Sequence, residues 1–206
     1  MSRADFTWMS DGLLLLTAII WGTAFVAQRK GMDFVGPFTF NGIRFALGSL
    51  ILIPLIVSNK NDTGRKRSGA RPVGSRVVVL GGFLVGFLLF GGASLQQVGI
   101  VYTTAGNAGF ITGLYVVIVP IIGLLFRNSA HSGTWIGTVL AASGLYLLSV
   151  TSQFKMGYGD FLVLVSAFFW AGHVLAVGWL SHQFNVFKLA FFQYVSCSFL
   201  SLLTAA

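Results

Sequence analysis

Charged residues are scarce in this chain of 206 residues. Asp, Glu, Lys and Arg make up 9% of it and hydrophobic residues 55%, whereas soluble domains carry about 25% charged residues. So few charges cannot cover a globule with polar surface. The composition therefore disfavours a soluble domain and predicts an integral membrane protein. The single cysteine, Cys197, excludes an internal disulfide.

Acidic residues are the rarer of the two charge types, and all five lie in predicted loops or at predicted helix ends. They are Asp5, Asp11, Asp33, Asp62 and Asp160. A carboxylate at mid-membrane is therefore missing, which disfavours small multidrug exporters that exchange protons for cations through an embedded glutamate. The sequence also lacks a metal-ligand cluster, a phosphate-binding glycine loop and a Ser-His-Asp set. We expect no enzyme activity, catalytic residue, metal or cofactor.

Long uncharged runs predict seven membrane-spanning helices, because about 20 apolar residues cross a bilayer core of about 30 Å. The run 77–126 holds 50 residues without an ionised side chain, which is too long for one crossing, so we expect it to reverse within QQVGIVYTTAGN. We expect Asp11 and Asp160 to cap the first and sixth helices. The predicted fold class is an all-α polytopic membrane helix bundle. The predicted spans are 12–28, 34–57, 77–99, 104–126, 133–150, 161–180 and 186–206.

Basic residues are concentrated in one loop. Six of the thirteen Lys and Arg residues lie between positions 58 and 76. The positive-inside rule then predicts that this loop and the N-terminus are cytoplasmic, in a multi-pass protein of the cell inner membrane. The net charge of +8 is not spread over a folded surface, so we expect the lipid bilayer, and no nucleic acid, as its partner.

An internal repeat is indicated at an offset of 149 residues, which aligns Asp11 with Asp160 and Trp21 with Trp170. The offset spans five predicted crossings, an odd number. The second copy therefore enters the membrane from the opposite side, as in the inverted repeats of secondary transporters. A complete molecule would have about 300 residues and ten helices, so we expect this chain to be truncated after its seventh helix. The predicted units are 11–151, complete with five helices, and 160–206, which is partial.

One arginine lies inside an apolar run. Arg44, in FNGIRFALGSL, is about ten residues into the second predicted span, where its insertion costs at least about 2.5–3.5 kcal/mol. We expect it to face the bundle interior or a wet cavity. It either attracts an anionic group such as a substrate carboxylate, or bonds helix carbonyls, Asn41, Gln97 or Asn107 and fixes helix packing. At the repeat offset it aligns with Gln193, so one unit alone carries this charge.

Four segments carry a family resemblance. They are WGTAFVAQRKG, PFTFNGIRFALGSLILIPL, VYTTAGNAGFITGLYVVIVPIIGLLF and GDFLVLVSAFFWAGHVL. In this order and spacing they resemble the EamA family of the drug/metabolite transporter superfamily. The resemblance implies a bundle of two inverted five-helix units and export or exchange of small metabolites such as amino acids, purines or drugs. Alternating access would move the small-molecule substrate. The alternative is a truncated, non-transporting membrane protein or scaffold.

Candidate residues for the substrate cavity are polar or aromatic side chains within or beside the predicted spans. Trp21 and Trp170 would stack substrate or pack at a pseudo-twofold axis. Gln97 would line an outer vestibule or bond a neighbouring helix. His173, one turn beyond Trp170, is a candidate for proton coupling, or is simply hydrogen-bonded. The full set is Arg44, Trp21, Asn107, Tyr115, Gln97, Trp170 and His173.

Three GxxxG spacings predict close helix packing. They begin at Gly82, Gly109 and Gly133. The same spacing also occurs in helix dimers, so a homodimer stays an open alternative.

Overall fold

The computed structural model describes residues 3–58, 75–125, 132–150, 156–181 and 185–206. Eight α-helices account for nearly all of these residues, as expected where lipid forces each backbone group to bond within its own segment. The basic loop predicted at 58–76 lies outside the described residues except at its ends. The helices are α1 (Arg3–Gly31), α2 (Pro37–Ser58), α3 (Ser75–Tyr102), α4 (Ala105–Gly113), α5 (Tyr115–Leu125), α6 (Ser132–Val150), α7 (Tyr158–Ser181) and α8 (Val186–Ala205).

Six helical segments in the described part of the chain are long and apolar enough to cross a membrane. They correspond to the first four predicted spans and to the sixth and seventh. Helices α4 and α5 together form one of them, Ala105–Leu124. Helix α6 coincides with the predicted fifth span, although it is not among the six. The prediction of an all-α polytopic helix bundle is confirmed.

Two predictions about helix starts need correction. Asp11 does not cap α1, because the helix begins at Arg3 and continues through Asp11. Asp160 is the third residue of α7 rather than its N-cap. Its carboxylate still satisfies the helix start, since Oδ2 accepts a hydrogen bond of 2.9 Å from the backbone N–H of Gly157. The hydroxyl of Thr103 donates to Oδ1 of the same carboxylate and links α7 to the turn before α4.

The reversal between the third and fourth spans is tighter than the polar stretch suggested. Helix α3 continues to Tyr102, so Gln96 and Gln97 lie in its last turns and not beside a loop. Thr104 caps α4, its hydroxyl accepting from the backbone N–H of Asn107 at 3.1 Å. Gln96 bonds to the neighbouring helix, because its Nε2 donates to Thr112 Oγ1 of α4 at 3.1 Å.

The fourth span is interrupted at Leu114, between α4 and α5. The backbone N–H of Leu114 bonds to the Ile111 carbonyl, and that of Val117 to the Leu114 carbonyl. Each of these bonds joins residues that are three positions apart, instead of the four positions of an α-helix. The backbone therefore forms a tighter, 3₁₀-like turn here. Pro120 lies within α5 and cannot donate its own helical bond. The regular α-helical hydrogen bonding of this span is therefore interrupted at two places, Leu114 and Pro120.

Helix α3 lies at the centre and contacts α2, α4, α7 and α8. Its predicted GxxxG spacing is used against α8. A Cβ built on Gly82 would lie 2.4 Å from Phe192 Cβ, and one on Gly86 would lie 2.5 Å from Ser196 Cβ. Glycine is required for backbones to approach this closely. Residue numbers rise together in the two helices, so α3 and α8 run parallel.

The other two GxxxG spacings do not mark such close contacts. A Cβ on Gly133 or Gly137 would meet no described atom within 4 Å, and one on Gly109 would lie 3.7 Å from the Phe25 ring. A homodimer stays a prediction.

Helices α2 and α8 pack antiparallel. Near the start of α2, the Ser198 hydroxyl donates to the Gly42 carbonyl at 2.8 Å. One turn further, the rings of Phe45 and Tyr194 lie 5.5 Å apart, centroid to centroid. Positions 45 and 194 are separated by the offset of the predicted repeat. A pseudo-twofold axis beside these helices would bring such aligned positions together, and the repeat itself stays a prediction.

We expect Gly86→Ala to destabilise the bundle, because its new methyl group would overlap Ser196. Overpacking of this kind costs about 1–3 kcal/mol. The matched control is Gly22→Ala in α1, where a Cβ meets no described atom within 4 Å. Thermal unfolding of the detergent-purified variants, followed by size-exclusion chromatography, measures the difference. Equal melting temperatures would contradict the proposed close contact between α3 and α8.

Candidate functional site

The guanidinium of Arg44 is held between two side-chain amides. Its Nη1 donates to Gln28 Oε1 at 2.9 Å, and its Nη2 donates to Asn41 Oδ1 at 3.0 Å. Gln28 lies on α1, so the first bond joins α1 to α2. Asn41 precedes Arg44 by one helical turn, and the arginine side chain reaches back towards it. The prediction that Asn41 is a partner of Arg44 is confirmed.

Asn41 extends the same chain of bonds to a third helix. Its Nδ2 donates to the backbone carbonyl of Ala93 on α3 at 3.1 Å, and the residue is fully buried. Gln28 is fixed in turn, because its Nε2 donates to the Ala24 carbonyl of its own helix at 3.2 Å. We call Gln28, Arg44, Asn41 and the Ala93 carbonyl the Arg44 network. It ties α1, α2 and α3 together through polar contacts.

Aromatic rings cover part of the guanidinium. Its central carbon lies 4.8 Å from the ring centroid of Phe45 and 5.7 Å from that of Phe40. Both distances allow attraction between the cation and the π-face of each ring. Phe45 is also the residue that meets Tyr194 of α8. The charge therefore lies beside the contact between repeat-related positions.

Several buried polar atoms of α2 and α3 have no described hydrogen-bond partner. One is Arg44 Nε, and two more are Nε2 and Oε1 of Gln97. Gln97 is fully buried. It lies one helical turn after Ala93, on the face of α3 that receives the bond from Asn41. Buried polar groups are normally paired, so this region holds unused donors and an unused acceptor.

A second polar contact joins α7 to α8. His173 Nε2 lies 2.9 Å from Gln193 Oε1, within hydrogen-bonding distance. The Trp170 ring meets the His173 ring edge to face, with centroids 5.9 Å apart. Trp170 also packs against Phe45, Leu89, Ala93 and Cys197. Two of the candidate residues are thus brought together here.

This second contact occupies the position that the repeat assigns to the Arg44 network. Gln193 is the counterpart of Arg44, and each bonds a residue on the preceding helix. The partners differ by one turn, since His173 aligns with Ala24 and not with Gln28. At the predicted repeat offset, Arg44 of α2 and Gln193 of α8 thus each bond the preceding helix, with different chemistry.

The remaining candidates lie apart from these contacts. Trp21 is 54% exposed on α1 and does not stack on the Arg44 network. Asn107 lies in the first turn of α4, where its backbone N–H is bonded by the Thr104 cap. Tyr115 lines an apolar groove of about 540 Å³ between α5, α6 and α7, together with Thr138 and Leu175.

Carboxylates and metal-binding clusters are not part of the site. The two described ion pairs both involve Asp33, which lies 3.5 Å from Arg29 and 3.6 Å from Lys30 at the end of α1. No group of three or more His, Cys, Asp or Glu residues able to hold a metal is found in the described part of the chain. Arg44 is therefore held by neutral acceptors and aromatic rings.

Comparison with known proteins places this architecture in a family. The model of the EamA-like transporter family matches residues 8–150. The chain belongs to the EamA-like transporter family. The resemblance seen in the sequence is thereby confirmed, and with it a multi-pass membrane protein.

Relatives in two organisms extend the similarity beyond that match. Two proteins of Archaeoglobus fulgidus, each described as an uncharacterized transporter, are 34% identical over 87% of this chain and 31% identical over 77% of it. The uncharacterized inner membrane transporter YedA of Escherichia coli K12 is 24% identical over 78%. The matches cover 52%, 54% and 50% of these relatives, so the chain spans about half their length. No solved structure matches.

We expect Asn41→Leu to destabilise the protein, because it leaves Arg44 Nη2 and the Ala93 carbonyl without their partner. A buried polar group left unpaired costs about 1–3 kcal/mol, and a charged one more. Asn107→Leu is the matched control, since the described bond of Asn107 uses its backbone. Thermal unfolding in detergent compares the two variants. A smaller effect at position 41 than at position 107 would argue against the network.

Proposed function

We propose that the chain forms an integral membrane transporter that exports or exchanges small metabolites by alternating access. Its two inverted units would be 11–151 and 160–206, the second being partial. The N-terminus and the loop 58–76 would lie in the cytoplasm. The substrate would bind where the two units meet, beside the Arg44 network.

The observation that carries this proposal is a partly buried charge beside the contact of Phe45 with Tyr194. Transporters built from inverted repeats bind substrate near the membrane midplane, where the repeats meet. A charged side chain at that depth is costly and is usually functional. Arg44 carries a charge at such a position. Its Nε and the amide of Gln97 have no described partner, so both could bond a substrate.

The packing of the helices also suits such a mechanism. α2 and α8 meet through a repeat-related aromatic pair, and α3 touches both α7 and α8 through glycines. These contacts are mostly apolar, so one group of helices can rotate against the other without breaking many hydrogen bonds. The interruption at Leu114 offers a point at which the fourth span can bend.

Transport itself is tested with purified protein in liposomes and a panel of labelled amino acids, purines, organic acids and cationic drugs. We expect at least one compound to enter faster than into empty liposomes, and Arg44→Gln to remove that excess flux. Size-exclusion chromatography of both proteins shows whether the substitution preserves the folded yield. Passive rates for the whole panel would refute transport by this chain, and a loss of folded protein would assign Arg44 to packing.

Alternating access is tested by labelling single cysteines with a membrane-impermeant maleimide, after Cys197→Ala removes the native thiol. We expect Gln97→Cys to react from both sides of the membrane, because the site would open to each side in turn. Ile51 is 68% exposed on α2, on a surface that would face lipid. Ile51→Cys should therefore react from neither side. Ser68→Cys should react from the cytoplasmic side alone.

Labelling of Gln97→Cys from one side under every condition would contradict alternating access. Labelling of Ser68→Cys from the outer side would contradict the proposed orientation.

A further inference from the structure

We infer that the Arg44 network and Gln97 form a binding site for a small hydroxycarboxylate, an organic anion that carries a single net negative charge. This inference rests on the proposed function and narrows the class of substrate that the same site would accept. Three features of the described part of the site carry it. They are a positive charge that no described carboxylate pairs with, a buried amide that has no described partner, and the absence of a described carboxylate that could hold an ammonium group.

The first feature is the state of the guanidinium. Arginine carries five N–H donors, and the described bonds of Arg44 use one on Nη1 and one on Nη2. Both acceptors are neutral amide oxygens, so no carboxylate among the described residues balances the cation. Nε has no described partner. An edge of the guanidinium with free N–H groups matches the two oxygens of a carboxylate.

The surroundings strengthen the attraction for an anion. The Phe45 and Phe40 rings cover the cation at 4.8 Å and 5.7 Å and exclude water from part of its surface. A charge interacts more strongly with its partner where water is displaced, since the effective dielectric constant falls. Asn41, bonded on one side to Arg44 and on the other to Ala93, holds the guanidinium in place.

The second feature is the amide of Gln97. The residue is fully buried, and neither its oxygen nor its nitrogen has a described partner. An amide can donate and accept at once, and so can a hydroxyl group. Gln97 lies one turn from Ala93 on the face of α3 that contacts the network. A ligand whose carboxylate meets Arg44 would satisfy this amide with an adjacent hydroxyl.

The third feature disfavours amines and amino acids. None of the five aspartates lies in the runs 34–57, 77–126 or 161–206, which contain the second to fourth and the last two spans. Where they are described in contact, Asp33 pairs with Arg29 and Lys30, and Asp160 with Thr103 and Gly157. An ammonium group bound beside Arg44 would be repelled by it, without a carboxylate to compensate.

The test compares five compounds of nearly equal size: lactate, propionate, lactamide, alanine and 1-amino-2-propanol. Isothermal titration calorimetry of the detergent-purified protein measures binding, and labelled compounds in liposomes measure flux. We expect lactate to bind at least about tenfold more tightly than lactamide, alanine or the amine, as a charge-assisted bond predicts. Propionate, which lacks the hydroxyl, should bind about three- to tenfold more weakly than lactate.

Asn41→Asp is the decisive variant. Oδ1 of residue 41 already lies 3.0 Å from Arg44 Nη2, so the substitution places a carboxylate on the guanidinium. It also removes the bond from Nδ2 to the Ala93 carbonyl, so lactate affinity is compared only after size-exclusion chromatography shows that the variant keeps its folded yield. We expect lactate affinity to fall about 10- to 100-fold. The matched control is Asn185→Asp, because Asn185 caps α8 through its Oδ1 and aspartate caps helices equally well. It should leave lactate affinity unchanged.

Gln97→Leu tests the second contact. It should abolish the preference for lactate over propionate while both remain favoured over lactamide. An unchanged preference in this variant would overturn the role of Gln97. Unchanged lactate affinity in Asn41→Asp, or tighter binding of alanine or the amine than of lactate by the unsubstituted protein, would overturn the anion site.

The two assays separate this inference from the proposed function. Lactate binding with the expected variant effects, together with passive rates for the whole panel of compounds, supports the anion site and refutes transport by this chain. Flux of alanine or the amine that exceeds lactate flux supports transport and refutes the substrate class.

Discussion

Partial burial of one arginine within a membrane bundle is the constraint on which this structure depends. A guanidinium cannot shed its proton in a protein, so its charge must be satisfied where it lies. Among the described residues, no carboxylate pairs with it. The chain provides instead two amides from different helices and two aromatic rings, and one of those amides holds the backbone of a third helix. The positions of α1, α2 and α3 are thus fixed by the need to surround one cation.

Arg44 also shows how far the sequence could predict the site. Its position within an apolar run indicated an inward-facing side chain, and Asn41, one turn earlier, was among the expected partners. Gln28 was not, although it supplies the shorter bond. It lies at the end of another span, and nothing local shows that α1 crosses α2 at that level. Gln97 and Asn107 were expected partners too, and neither bonds to Arg44 in the structure.

The sequence predicts the helices, like the site, only in part: the spans could be predicted and the helix ends could not. The spans were predictable because twenty apolar residues have few alternatives in lipid. The helix ends were not, because a polar residue near a boundary can act in two ways. Asp11 lies within α1, since the residues before it continue the helix. Gln96 was interpreted as part of a turn, but it bonds Thr112 on the returning helix. Such a polar residue can cap its own helix or bond a neighbouring helix. Which of the two it does depends on how the helices pack against each other.

The glycines of α3 have a consequence for how the protein is made. Gly82 and Gly86 belong to the third helix, whereas their partners Phe192 and Ser196 are synthesised about a hundred residues later. Until α8 enters the membrane, that groove on α3 faces lipid or the insertion machinery. The early helices therefore cannot reach their final packing until α8 has been synthesised and lies beside α3.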